Sequence, residues 1–143
     1  MMRLKLPVVS ALLLAAASLW AHHGSTGFDQ KKPVHFIGKV SLLEWGNPHI
    51  VIHIEVAGSD GRVSTWLVNT LPPNTTKRLG YSQSSFAVGT QVSVDGYQAT
   101  DTSNHVNGTR IVLPDGRTIV TADCFDNGPY CFKPVDAKGN RIE

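Results

Sequence analysis

The stretch from residue 49 to 56 constrains the fold more than any other part of the chain. Ile50, Ile52, Ile54 and Val56 alternate there with His49, Val51, His53 and Glu55. A period of two places successive side chains on opposite faces of an extended strand, so one isoleucine-lined face must meet a core. A helix would scatter the same residues around its circumference. Residues 34–43 read as an earlier strand with apolar groups on both faces, and Gly38 inside that run is an expected bulge or sharp coil. Gly46-Asn47-Pro48 turns the chain into the second strand, and Ser59-Asp60-Gly61 turns it out into a third at 63–68, centred on Trp66. A fourth strand is expected at 91–98, with Val92 and Val94 on one side and Tyr97 on the other. Residues 100–108 read as a polar loop, and a fifth strand at 109–113 ends at Pro114-Asp115-Gly116. Between the third and fourth strands lies one helix signal. Pro72-Pro73-Asn74 opens it, Lys77-Arg78-Leu79 forms its last turn, and Gly80 closes it in the left-handed conformation.

The order strand, strand, strand, short helix, strand, strand predicts an all-β fold with one short helix. It matches the five-stranded Greek-key barrel of the oligonucleotide/oligosaccharide-binding (OB) type. An immunoglobulin-like sandwich competes with it, but needs about seven strands and normally no helix at that place.

The two ends read differently from the middle. Residues 1–21 hold Arg3 and Lys5, no acid, and an apolar run from Leu6 to Leu19 that closes on small residues before Ala21, the pattern of a cleaved export signal. At about 14 residues, interrupted by Pro7, the run is short for a membrane anchor. No later run is long enough to span a bilayer. The expected organisation is a signal peptide at 1–21, an extended histidine arm at 22–33, a barrel at 34–116 and a tail at 117–143, in a periplasmic or secreted protein. Cleavage after Ala21 makes His22 the new terminus, whereas cleavage after Ala17 leaves Ser18 there. In the tail, Cys124 and Cys131 flank Asp126-Asn127-Gly128-Pro129, whose turn signals bring the thiols together. An even pair in an exported chain reads as a disulfide, and six intervening residues differ from the two of a redox-active pair.

Charge and motifs exclude several classes. Arg3 and Lys5 leave with the signal, after which eleven basic residues face eleven acidic ones. Nucleic-acid binders draw their affinity from surplus Lys and Arg, so no nucleic-acid partner is expected. There is no nucleophile elbow around any serine, no phosphate loop and no dinucleotide fingerprint.

Six histidines remain as candidate ligands: His22, His23, His35, His49, His53 and His105. A terminal His22 would offer its α-amine and ring nitrogen as a chelate, His23 another nitrogen, and His49 a third imidazole. Such nitrogen-rich sets suit Cu(II). The bland alternative is an exposed arm that binds nothing. His49 and His53 lie about 13 Å apart at strand spacing, so they share one ion only with a third element between them. His53 beside Glu55 reads either as an acid–base pair or as part of a solvated face. His35 and His105 have no partner readable from the sequence. Trp45, Asn47 and His53 are candidates for a ligand face, because the first hairpin loop of an OB barrel flanks its binding surface. Trp45 reads equally as a core residue capping the barrel end.

At these residues the chain resembles a family of small exported bacterial proteins, domain-of-unknown-function family 6152. The resemblance rests on His22-His23 followed by Phe28-Asp29, on Gly38-Lys39-Val40, Glu44-Trp45 and Asn47-Pro48-His49, and on Trp66, Pro73-Asn74, Arg78, Gly80-Tyr81, Gly89 and Leu113-Pro114-Asp115-Gly116-Arg117. It spans about His22 to Arg117. This chain departs from the family at Leu67-Val68-Asn69, which lacks the usual acid, at Tyr81 in place of Trp and at Thr90 in place of Asp. The resemblance implies cleavage just before His22 and brings no function with it.

Three roles follow as expectations. The first is an exported binding or accessory module that holds a small ligand or copper and is not a catalyst. The second is a structural module that docks on an envelope protein without metal. The third is a copper-dependent oxidoreductase, which would need redox turnover in addition to binding.

Overall fold

In the computed structural model, which describes residues 27–121, the isoleucine alternation is met as expected. Strand β2 (Val51–Ala57) lies antiparallel between β1 (Phe28–Glu44) and β3 (Val63–Asn69). Ile50, Ile52 and Ile54 are fully buried, while Glu55 is exposed and His53 half-buried on the opposite face. Each such isoleucine contributes about 1.5–3 kcal/mol by leaving water. Residues 1–21, His22, His23 and the Cys124 and Cys131 positions lie outside the described residues.

Strand β1 starts at Phe28 and not at Val34. Its early part carries exposed polar side chains, among them Gln30, Lys31 and Lys32, so it shows no apolar alternation. The backbone is nonetheless placed against β4 (Gln91–Ala99), from Phe28 opposite Ala99 to Lys39 opposite Gln91. From Lys39 onward β1 pairs with β2, so a single strand serves two neighbours in turn. The irregularity expected at Gly38 falls instead between Val40 and Leu42, where Ser41 is the extra residue. Gly38 meets a different need. A Cβ there would run into the Glu55 carbonyl and the Ile54 side chain, so only glycine lets β1 cross this close to β2.

Strand β5 (His105–Val112) also begins earlier than expected, inside the stretch read as a polar loop. Val106 is its one apolar side chain before Ile111, and it is flanked by outward His105 and Asn107, which hid the strand from its sequence pattern. These early residues matter most to the topology. Leu67, Val68 and Asn69 of β3 pair parallel with His105, Val106 and Asn107, while β5 also pairs antiparallel with β4. The pairings β1–β2–β3–β5–β4 therefore close on themselves. A short β6 (Thr118–Val120) adds to β5 after the Pro114-Asp115-Gly116 turn.

The helix stands where the proline and glycine signals place it. Helix α1 (Pro73–Arg78) is followed by Gly80 at φ 88°, and the Gly80 and Tyr81 amides donate to the carbonyls of Lys77 and Thr76. A 3-10 turn at Gln83–Phe86 follows it, and its Phe86 fills the core. Tyr81 ties this connection to β6: its hydroxyl donates to the Thr118 carbonyl at 3.0 Å, and the Arg117 guanidinium lies 5.3 Å from its ring centre. Burial raises the Tyr81 phenol above its ordinary pKa, and the Arg117 charge opposes that shift. Among the described residues no helix is long and apolar enough to cross a membrane.

Candidate functional site

Register decides which side chains share a surface, because residues opposite one another on paired strands point the same way. Val68 and Val106 face the core, so their neighbours Leu67, Asn69, His105 and Asn107 face outward. One outer row then reads Leu42, His53, Leu67, His105 across β1, β2, β3 and β5. The next reads Glu44, Val51, Asn69, Asn107.

Both histidines of this face are held by an acceptor in the adjacent row. His53 Nε2 donates to Glu44 Oε1 at 2.5 Å, with the imidazole largely covered and the carboxylate open to water. The partner of His53 is thus Glu44 on β1, and not Glu55 on its own strand. His105 Nε2 donates to Asn69 Oδ1 at 2.9 Å, and the edge of its ring meets Phe28 with centroids 5.2 Å apart. Leu67 separates the two imidazoles, and Leu42 at the edge of the row is half exposed. The loop before β5 is built around local hydrogen bonds. Gln98 Nε2 donates to the Thr102 and Ser103 carbonyls, and Asp101 accepts from the Ser103 hydroxyl and amide, which lowers the pKa of its carboxyl.

A second polar row crosses the outer face of β1, β4 and β5. His35, Asp95 and Arg110 stand opposite one another in register. His35 Nδ1 donates to Asp95 Oδ1 at 2.7 Å, and Arg110 Nη1 lies 3.7 Å from Asp95 Oδ2. The Asp95 side chain is only 11% exposed, although it sits on an outward face between its two partners. Truncating it removes the acceptor of the His35 ring N–H and the anionic partner of Arg110. Asp95→Ala is expected to lower stability by about 1–3 kcal/mol in urea denaturation, and Asp95→Asn, which still accepts from His35, by less. Equal losses for both variants would rule out the hydrogen-bonding account.

The ligand candidates fall into three groups. Trp45, Asn47 and His49 all lie in the β1–β2 connection: Trp45 is half-buried against the core, whereas Asn47 and His49 are exposed. His53 belongs to the outer strand row. His22 and His23 lie outside the described residues, so their distance to His49 is not fixed by this structure. Among the described residues no three His, Cys, Asp or Glu side chains are grouped so as to hold a metal ion. The sequence reading missed Asp95 and the Glu44–His53 pair. Counting back from the turn would have revealed the latter, since the 45–50 connection sets Glu44 opposite Val51.

The model of a family of unknown function, DUF6152, matches residues 10–109. The match begins within the apolar run at 6–19 and ends at Thr109, so the Leu-Pro-Asp-Gly-Arg run at 113–117 lies past it. No curated protein and no solved structure matches the chain.

Proposed function

Since the chain belongs to DUF6152, a family without an established function, we propose a role argued from its surface: an exported binding or accessory module built on an OB-like barrel. The closed pairing β1–β2–β3–β5–β4, with a helix between β3 and β4, supports the OB-like reading. In such barrels the first loop and the β2–β3 face receive the ligand. Here that loop carries exposed Asn47 and His49, and that face carries His53. The exposure of His49 at the head of the face is the observation that carries the proposal, because an imidazole with no intramolecular partner among the described residues is free to bind. His22 and His23, at the new terminus left by signal cleavage, complete a nitrogen-rich set with His49 for Cu(II). The Cys124–Cys131 disulfide staples the tail.

Isothermal titration of the mature protein with Cu(II) tests this. The tightest binding event is expected to weaken at least tenfold when residues 22–32 are scrambled. Equal affinity for both chains would remove copper from the proposal. Copper that is bound yet inert in an oxidase assay would separate the module from an oxidoreductase. A metal-free docking role has its own support in Ile37 and Leu42, which stand half exposed on the outer face of β1. Capture of an envelope partner that is unchanged by His22→Ala and His49→Ala would favour that second reading.

A further inference from the structure

We infer that the protein pairs with a second copy of itself through the outer face of β1. The two β1 strands cross antiparallel at Leu42, so that Lys39 of each copy meets Glu44 of the other. This contact goes beyond the proposed binding role, because it needs neither a metal nor the arm histidines.

The order of side chains along β1 is what singles out this partner. On β2, Glu55, His53 and Val51 alternate along the strand and so share the outer face. Their partners on β1 are Lys39, Leu42 and Glu44. Ser41 is the extra residue of the irregularity between Val40 and Leu42, so these three stand at successive outward positions. Each is roughly 7 Å from the next. A cation, an apolar side chain and an anion therefore follow one another along a single strand. Such a row is its own complement under a two-fold rotation. A closed dimer requires that one residue meet a second while the second meets the first. Turned about an axis through Leu42, the row sets leucine on leucine, Lys39 on Glu44 and Glu44 on Lys39. A partner of uniform charge would be attracted at one end of the row and repelled at the other.

The side chains are placed for this contact. Leu42 is 50% exposed, and Val51 and Leu67 near it are half-buried, which leaves apolar surface for a partner to cover. Lys39 is exposed and stands opposite Glu55, yet it makes no ion pair among the described residues. The Glu44 side chain is 57% exposed, and its Oε1 accepts from His53. That bond orients the carboxylate and leaves Oε2 to receive an ammonium group. Charge pairs of this kind set register and orientation, while burial of the leucines supplies most of the affinity. The polar row on the other side of β1 offers no such complement, because its one carboxylate, Asp95, is already engaged by His35 and Arg110.

The test is analytical ultracentrifugation of the full mature chain from micromolar to millimolar concentration, with a chelator present so that no metal links the copies. A monomer–dimer equilibrium is expected. Lys39→Glu or Glu44→Lys alone places like charges together at both ends of the contact and should raise the dissociation constant at least tenfold. The double variant Lys39→Glu/Glu44→Lys should return it to near the original value. The swap does not restore the bond between Glu44 and His53, so recovery reads the contact between copies and not the stability of the hairpin. Leu42→Asp should leave a monomer with an unchanged circular dichroism spectrum. A chain that stays monomeric throughout, association that grows beyond the dimer, or a double variant as weak as either single one would overturn the inference.

Discussion

Ile54→Ala is expected to lower the free energy of unfolding by about 2–5 kcal/mol. Ile54 is fully buried at the centre of β2, between Val40 on β1 and Trp66 on β3. Its removal subtracts both transfer energy and packing, because the flanking strands are hydrogen-bonded on either side and cannot collapse into the space. For a domain of this size each kcal/mol corresponds to roughly 4–8 °C in melting temperature. The loss should therefore be plain in a thermal scan followed by circular dichroism. A change below about 1 kcal/mol would mean that the site is not the closed interior described above.

Gly38→Ala should destabilise by about 1–3 kcal/mol or more, through overcrowding and not through loss. The added methyl would meet the Ile54 side chain and the Glu55 carbonyl. Combining it with Ile54→Ala relieves the first clash and leaves the second, so the two effects should fall short of their sum. Residues in contact show coupling of about 0.5–3 kcal/mol, and independent ones add to within about 0.3–0.5 kcal/mol. A double-mutant cycle in urea reads this directly. Strict additivity would show that the crossing of β1 over β2 does not depend on glycine at that place.

These two residues also mark what could and could not be read from the chain. The isoleucine face of β2 was legible because burial on one side imposes a period of two, whatever the partners are. The helix was legible because prolines and a glycine bracket it. Gly38 was singled out for the right reason in part: a strand does need glycine there, but for close approach and not for a bulge. The early halves of β1 and β5 were not legible. Gln30, Lys31 and Lys32 are exposed, and Val106 is a single apolar residue among polar ones, so tertiary pairing and not local pattern makes them strands.

The candidate site was legible residue by residue and not as an arrangement. His49 and His53 stood out by type, as did Trp45 and Asn47 by local density. Which groups meet depends on register, and register between β1 and β4 or β3 and β5 cannot be counted from any turn, because long connections intervene. His35, Asp95 and Arg110 lie far apart in the chain and align only when three strands are in place. The tie between His105 and Asn69 has the same origin.

The parallel contact between β3 and β5 spans three residue pairs, whereas β1 and β4 share a far longer border. The circle of strands is thus fastened by a narrow seam, placed directly beneath the outer row that holds Leu67 and His105. Parting it would open the circle into one six-stranded sheet in the order β3-β2-β1-β4-β5-β6, with β3 free at one edge. A ligand lying across that outer row would bridge the seam, and its binding energy would be spent on keeping the circle shut. Recognition and closure would then be two readings of one equilibrium, with the short border that closes the circle placed where an occupant could reinforce it.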